Sequence, residues 1–78
     1  MKLLAFGITR EIIGMSDSSR TLKTSMTVGD LRKELCGEFP KLKELNTLAI
    51  AVNETYATDD VEINDADVVA LIPPVSGG

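Results

Sequence analysis

The chain has 78 residues, of which 44% are hydrophobic and 26% charged, the make-up of one small globular domain and not of a disordered segment. A net charge of −4 with no basic cluster argues against nucleic acid and against anionic membrane surfaces. With no histidine and one cysteine the chain lacks the usual general base, the usual metal ligands and any internal disulfide, which suits a reducing cytoplasm.

In chain order, Lys2 to Ile8 reads as the first strand, with Leu3 and Ala5 on one face and Leu4, Phe6 and Ile8 on the other. Both faces are apolar, which predicts a central strand covered at least in part on both sides. The apolar run breaks at Thr9-Arg10-Glu11 without a cleavage site, so it is no signal peptide, and no run reaches the length of a membrane span. Thr9 to Gly14 is a turn or short helical stretch that folds Ile12 and Ile13 back on the core. Met15 to Ser19 is loop-like, and Arg20 to Thr24 alternates as an antiparallel partner of the first strand would, with Leu22 inward.

Thr27 is a helix N-cap, and Asp30 stands where the carboxylate of a capping box stands. Val28, Leu31, Leu35 and Phe39 recur at helical spacing on one face, while Arg32, Lys33, Glu34 and Glu38 point to solvent. Pro40 ends the helix or starts a short turn. Lys41 to Asn46 is a solvated connector. Thr47 to Val52 is the third strand, with Leu48, Ile50 and Val52 on one face and Ala49 and Ala51 on the other. Asn53-Glu54-Thr55 is a tight turn into a short return strand at Tyr56-Ala57. Turns at Asp59-Asp60 and Asn64-Asp65-Ala66-Asp67 flank Val61-Glu62-Ile63. Val68 to Ile72, continuously apolar and β-branched, is the last strand.

The two most apolar strands are the first and the last. Side by side and parallel in the middle of a mixed sheet, with the one main helix packed on one face, they make an α+β, β-grasp (ubiquitin-like) domain over residues 1–72. Pro73 stops the sheet because it has no N–H, and Pro73-Pro74 favours extended polyproline II. Residues 73–78 then form an extended, flexible tail that is uncharged but for the α-carboxylate of Gly78. Fully extended, it reaches roughly 20 Å. Gly77 and Gly78 have no Cβ, so the end passes through a channel too narrow for a side chain and leaves its acyl carbon open to attack.

No other group offers chemistry. Cys36 lies on the predicted helix with no base to activate it and reads as a half-buried structural residue. Asp59, Asp60, Asp65 and Asp67 sit at turns, where Asp is favoured for backbone reasons; their spacing is wrong for a calcium loop. Gly7 and Gly14 form no phosphate cradle. The chain therefore has no catalytic residue, metal site or bound cofactor of its own. The Gly78 carboxylate is an anion and a poor electrophile, so it needs activation, most simply adenylation by ATP on a partner enzyme. A sulfide or persulfide nucleophile then gives a thiocarboxylate, and a lysine amine gives an isopeptide conjugate.

Phe6 and Thr9-Arg10-Glu11-Ile12-Ile13-Gly14, the Ala51-Val52-Asn53-Glu54-Thr55 turn, and the stretch from Asn64 through Ile72-Pro73-Pro74-Val75-Ser76-Gly77-Gly78 resemble the small, sulfur-carrier subunits of molybdopterin synthase. The resemblance covers nearly the whole chain and is most specific in the ending. It implies that Gly78 is adenylated by an E1-like enzyme and becomes a thiocarboxylate with sulfur from a persulfide donor protein. It implies further that Pro73, Pro74, Val75, Ser76 and Gly77 enter the active site of the large catalytic subunit, where sulfur passes to cyclic pyranopterin monophosphate to form molybdopterin. Two carriers then bind the ends of a catalytic-subunit dimer, in the cytoplasm. Partner contacts fall on Phe6, Tyr56 and Ile72; Tyr56 stands where the family often has an aliphatic residue.

Three other readings share the fold and the Gly-Gly end: a protein modifier of the ubiquitin type, a sulfur carrier for thiamine or another thio-cofactor, and an interaction domain that never uses its terminus. Pro73-Pro74 with Val75-Ser76 favours the molybdopterin branch.

Overall fold

The computed structural model describes residues 1–45 and 48–74. Along the chain it comprises β1 (Lys2–Ala5), α1 (Ile8–Ile13), β2 (Asp17–Ser19), β3 (Met26–Thr27), α2 (Val28–Glu38), a 3-10 helix (Pro40–Glu44), β4 (Ala49–Val52), β5 (Thr55–Tyr56), β6 (Glu62–Ile63) and β7 (Val68–Ile72). Five strands form one sheet in the order β2-β1-β7-β4-β5, and β3 pairs with β6 in a separate two-stranded ladder. β1 and β7 run parallel at the centre, with Leu3 beside Val69 and Ala5 beside Leu71. This is the β-grasp expected from the two apolar end strands.

Side-chain alternation decides what the sheet covers. Leu3, Ile50, Val69 and Leu71 point to one face and are buried, together with Val28, Leu31 and Leu35 of α2 and Leu42 of the 3-10 helix. Burying a leucine completely contributes about 1.5–3 kcal/mol, so this single seam between sheet and helix holds most of the core. The start of α2 is fixed by its capping box: Thr27 Oγ1 accepts from the Asp30 N–H, and the Thr27 N–H donates to the Asp30 carboxylate. Arg32, expected in solvent, is half-buried; its guanidinium donates to the Leu48 carbonyl at 2.6 Å and pairs with Asp59 at 3.2 Å, tying α2 to the entry of β4.

Beyond Arg32 and a one-residue shift of the short return strand to Thr55–Tyr56, the backbone departs from the sequence reading at four places. First, β1 ends at Ala5 instead of Ile8. Gly7 turns the backbone with φ 55°, ψ −130°, and Ile8 opens α1 instead of continuing the strand. Second, the antiparallel partner of β1 is Asp17–Ser19, not Arg20 to Thr24. With Lys2 opposite Ser19, residues from Thr21 onward lie past the start of β1; Leu22 is still half-buried, its N–H held by the Asp65 carboxylate at 2.8 Å. Third, Lys41 to Glu44 of the expected connector belong to the 3-10 helix Pro40–Glu44, which buries Leu42, and residue 46 lies outside the described residues. Fourth, β3 and β6 form a ladder that their two-residue lengths hide in the sequence. Residue 47, expected to open the third strand, lies outside the described residues. Among the described residues no helix is long and apolar enough to cross a membrane.

Candidate functional site

The second face of the sheet carries no helix. Paired residues share a face, so the register lays one row of side chains across it: Leu4 beside Ala70, Ala70 opposite Ala51, Ala51 opposite Tyr56. Val68 and Ile72 flank Ala70 at the alternate positions of β7, and Ala49 stands opposite Ile72. The two faces of β1 are covered unequally, as cover at least in part on both sides allows: the Leu3/Ala5 side is packed away, while on the other side Leu4 is half-buried, Ala51 is buried, and Phe6 and Tyr56 leave an apolar surface open. Phe6 is 51% exposed and Tyr56 71% exposed. A depression of about 460 Å³ lies on this face, lined by Leu4, Phe6, Asn53, Glu54, Val68 and Ala70. Phe6, Tyr56 and Ile72, drawn from three separate stretches of sequence, are thus carried by one face.

Phe6 is held outward by a small buried device. The hydroxyl of Thr9, fully buried, accepts the Phe6 N–H at 2.9 Å and donates to the Phe6 carbonyl, while the Leu71 carbonyl lies 3.4 Å away. The two hydrogen bonds close the turn between β1 and α1 on itself, and the approach of the same hydroxyl to the Leu71 carbonyl sets that turn beside the end of β7. Thr9 satisfies its own polarity there, as a buried hydroxyl must.

The tail leaves the domain at the same corner. β7 ends at Ile72, and Pro73 and Pro74 are half-buried. A Cβ on Gly7 would stand 3.2 Å from Cγ of Pro73, so the glycine is needed both for its positive φ and to let the proline ring come close. Pro73 therefore leans on the domain at the edge of the open face. Val75, Ser76, Gly77 and Gly78, the residues that carry the expected chemistry, lie outside the described residues.

On the far side of the depression is the β4–β5 hairpin. Its two central residues, Asn53 and Glu54, have φ 50° and 69°, the positive pair that marks a type I′ turn. The Asn53 side chain is engaged at both its oxygen and its nitrogen: the oxygen accepts the Val68 N–H at 3.0 Å and the amide donates to Asp67 at 3.0 Å. The Asn64 N–H, at 2.8 Å, and the Asn53 amide together hold the Asp67 carboxyl below its ordinary value. Cys36 is half-buried on α2, as its place in the sequence predicts. Among the described residues no group of three or more His, Cys, Asp or Glu could hold a metal ion.

Sequence reasoning missed Leu4, Val68 and Ala70 as part of the site. The run Val68 to Ile72 reads as uniformly buried, and only pairing reveals that alternate members face outward. It also gave no separate role to Gly7 and Thr9, whose signal is a glycine followed two residues later by a hydroxyl at the end of a strand.

The ThiS family model matches residues 3–78. The molybdopterin synthase sulfur carrier subunit of Arabidopsis thaliana is 35% identical over all of this chain and 82% of its own length. A Pyrococcus furiosus protein assigned as molybdopterin converting factor subunit 1 is 31% identical, covers 95% of each chain and superposes with a TM-score of 0.81. SAMP1 of Haloferax volcanii is 26% identical over 100% of this chain and 98% of its own, with a TM-score of 0.80. The chain belongs to the ThiS family of ubiquitin-like β-grasp proteins, together with the molybdopterin synthase sulfur carrier subunits.

Proposed function

We propose that this chain is the sulfur-carrying subunit of a molybdopterin synthase and that its reacting group is the Gly78 carboxylate. The observation that carries the proposal is the continuity of the open apolar face with the root of the tail: Phe6 and Ile72 stand on that face beside the Gly7–Pro73 contact. A partner that covers the face receives the tail in a fixed direction. Exposed apolar surface of this kind, rimmed by polar residues, is characteristic of a docking site.

The chemistry takes place on partners. On an E1-like enzyme a Gly78 carboxylate oxygen attacks the α-phosphorus of ATP, the bond to the β-phosphate oxygen breaks, and pyrophosphate leaves. A sulfide then attacks the acyl carbon, the C–O bond to AMP breaks, and the thiocarboxylate remains. If a persulfide protein supplies the sulfur, the first product is an acyl disulfide, whose S–S bond a second thiol cleaves. Within the large catalytic subunit the thiocarboxylate sulfur attacks a carbon of cyclic pyranopterin monophosphate, a carbon–oxygen bond there breaks, and water cleaves the acyl–sulfur bond so that Gly78 returns to a carboxylate; a second thiocarboxylated carrier supplies the second sulfur of the dithiolene. Pro73 to Gly77 act as the arm, and Phe6, Tyr56 and Ile72 as the docking contacts. The chain binds no cofactor and works in the cytoplasm, in a heterotetramer with a catalytic-subunit dimer.

The test is conversion of the pyranopterin precursor by thiocarboxylated carrier and catalytic subunit, with intact mass spectrometry of the carrier from cells. A mass gain equal to sulfur replacing oxygen supports the proposal. A carrier found only as isopeptide conjugates on other proteins, with no thiocarboxylate, would replace it by the modifier reading that the likeness to SAMP1 keeps in play.

A further inference from the structure

Glu54 occupies a position where glutamate is a poor choice for the fold. A two-residue hairpin with positive φ at both centres strongly favours Asn-Gly, because the second residue takes a left-handed backbone that a Cβ resists. Here Asn53 fills the first position well, but the second, at φ 69°, holds Glu. The usual compensation would be an internal contact, and among the described residues Glu54 makes no side-chain hydrogen bond or ion pair, whereas its neighbour Asn53 makes two hydrogen bonds. The exposed Glu54 instead lines the depression on the open face, whose floor is Leu4, Val68 and Ala70. Backbone strain kept without internal return is characteristic of functional positions.

Resting on the docking face proposed above, we infer that Glu54 is a specificity residue for the partner: the depression takes an apolar side chain of the catalytic subunit, and Glu54 pairs with a lysine or arginine set next to that side chain. Charge complementarity supports the cation. Asn53, the other polar side chain on the lining, is held by Val68 and Asp67, and among the described residues that line the depression Glu54 is the one that carries a charge. The site is continuous with Phe6, and Phe6 sits at the corner from which the tail leaves, so one occupant engages both.

The experiment measures the dissociation constant of the full carrier chain for purified catalytic subunit by titration calorimetry at low and high salt, with melting temperature alongside. Glu54→Gly should raise the melting temperature by a few degrees, since relief of the left-handed backbone outweighs the extra freedom glycine gives the unfolded chain, yet weaken binding roughly two- to fivefold. Glu54→Gln keeps the backbone cost, so it should leave the melting temperature unchanged while giving the same loss of affinity and a flatter salt dependence. If both variants bind as tightly as the parent while Phe6→Ala binds more weakly, the face docks the partner but Glu54 selects nothing, and the inference is overturned alone. If Phe6→Ala also binds normally while folded, the docking face itself is wrong. Sedimentation of the carrier alone covers a further occupant: a monomer–dimer equilibrium that shifts in Phe6→Ala and Glu54→Gln would place a second copy on the depression and overturn the inference.

Discussion

A single methyl group tests how closely α2 sits on the loop before β6. The Gly29 N–H donates to the Asp59 carbonyl at 2.9 Å, and a Cβ at Gly29 would stand 3.1 Å from Cβ of Asp59 and 3.2 Å from that carbonyl oxygen. Alanine in place of glycine in a helix is worth up to about 1 kcal/mol. Asp59 is tied to α2 twice, by its ion pair with Arg32 and by the very hydrogen bond that brings its carbonyl close, so making room for the methyl breaks or stretches both. Gly29→Ala is therefore expected to destabilise the domain by about 1–2 kcal/mol, read from urea unfolding, against the gain that helix propensity alone predicts. Phe6 makes the opposite kind of residue. Its ring is half exposed and contributes little to the core, so Phe6→Ala should leave the melting temperature nearly unchanged. It should weaken association with the catalytic subunit by about 1–3 kcal/mol, the range for an aromatic anchor, measured by titration calorimetry. An unchanged dissociation constant in the folded variant would remove Phe6 from the interface.

Elements differ in how far local chemistry dictates them. The capping box at Thr27 and Asp30 announces α2 because both partners lie within four residues, and Thr27→Ala should cost about 1 kcal/mol of stability. The hairpin at Asn53-Glu54 and the strand Val68–Ile72 are equally plain, the one from its turn residues, the other from its apolar run and the proline that stops it. The end of β1 is not plain. Leu3 to Ile8 has no charged or polar side chain to stop it, and what breaks it is a glycine dihedral and a buried hydroxyl that bonds back to Phe6. β2 reads as loop because an exposed edge strand of Asp-Ser-Ser has no apolar side to betray it. The depression beside Phe6 was not legible at all, since it is assembled from β1, β7 and a hairpin far apart in sequence. Acid should loosen the turns first. The Asp65 carboxyl is held below 3.8 mainly by the Leu22 N–H and then by the Met1 ammonium, and Asp67 by the Asn64 N–H and then by the Asn53 amide. A carboxyl with a lowered folded-state value stabilises fully above its unfolded value and loses that contribution as pH falls through the folded one. The melting temperature should thus hold down to pH 3.8 and fall below it, less steeply in Asp67→Asn; equal slopes would mean the turn bonds are not maintained in solution.

For the whole molecule, the proposal separates folding from chemistry. The described core closes by Leu71, while the reacting carboxylate is placed on Gly78. Removing Gly78 should leave thermal unfolding unaltered and abolish sulfur transfer, because the reach shortens by about 3.3 Å where a misplacement of about 1 Å already costs on the order of a hundredfold in rate. Gly78→Ala keeps the length but crowds the acyl carbon, and should slow adenylation or transfer with the melting temperature unchanged. Full turnover from the truncated chain would mean that the terminus is not the reacting group.

The parallel pairing of β1 with β7 also has a consequence for how the protein comes into being. The sheet is built from the middle outward, yet its middle consists of residues 2–5 and 68–72. During synthesis β1 has no neighbour on that side until almost all of the sequence has been made, and closing so long a loop is slow. A chain broken off before Val68 lacks its central strand and half of the seam against α2, so it should not fold, and its exposed apolar residues mark it for proteolysis. Because Pro73 follows that strand directly, any molecule that survives to the folded state has already been translated as far as the root of the arm. The topology should thus clear nascent chains broken off before the last strand, whereas a chain broken off within the arm still folds and can occupy a partner's docking face with nothing to deliver.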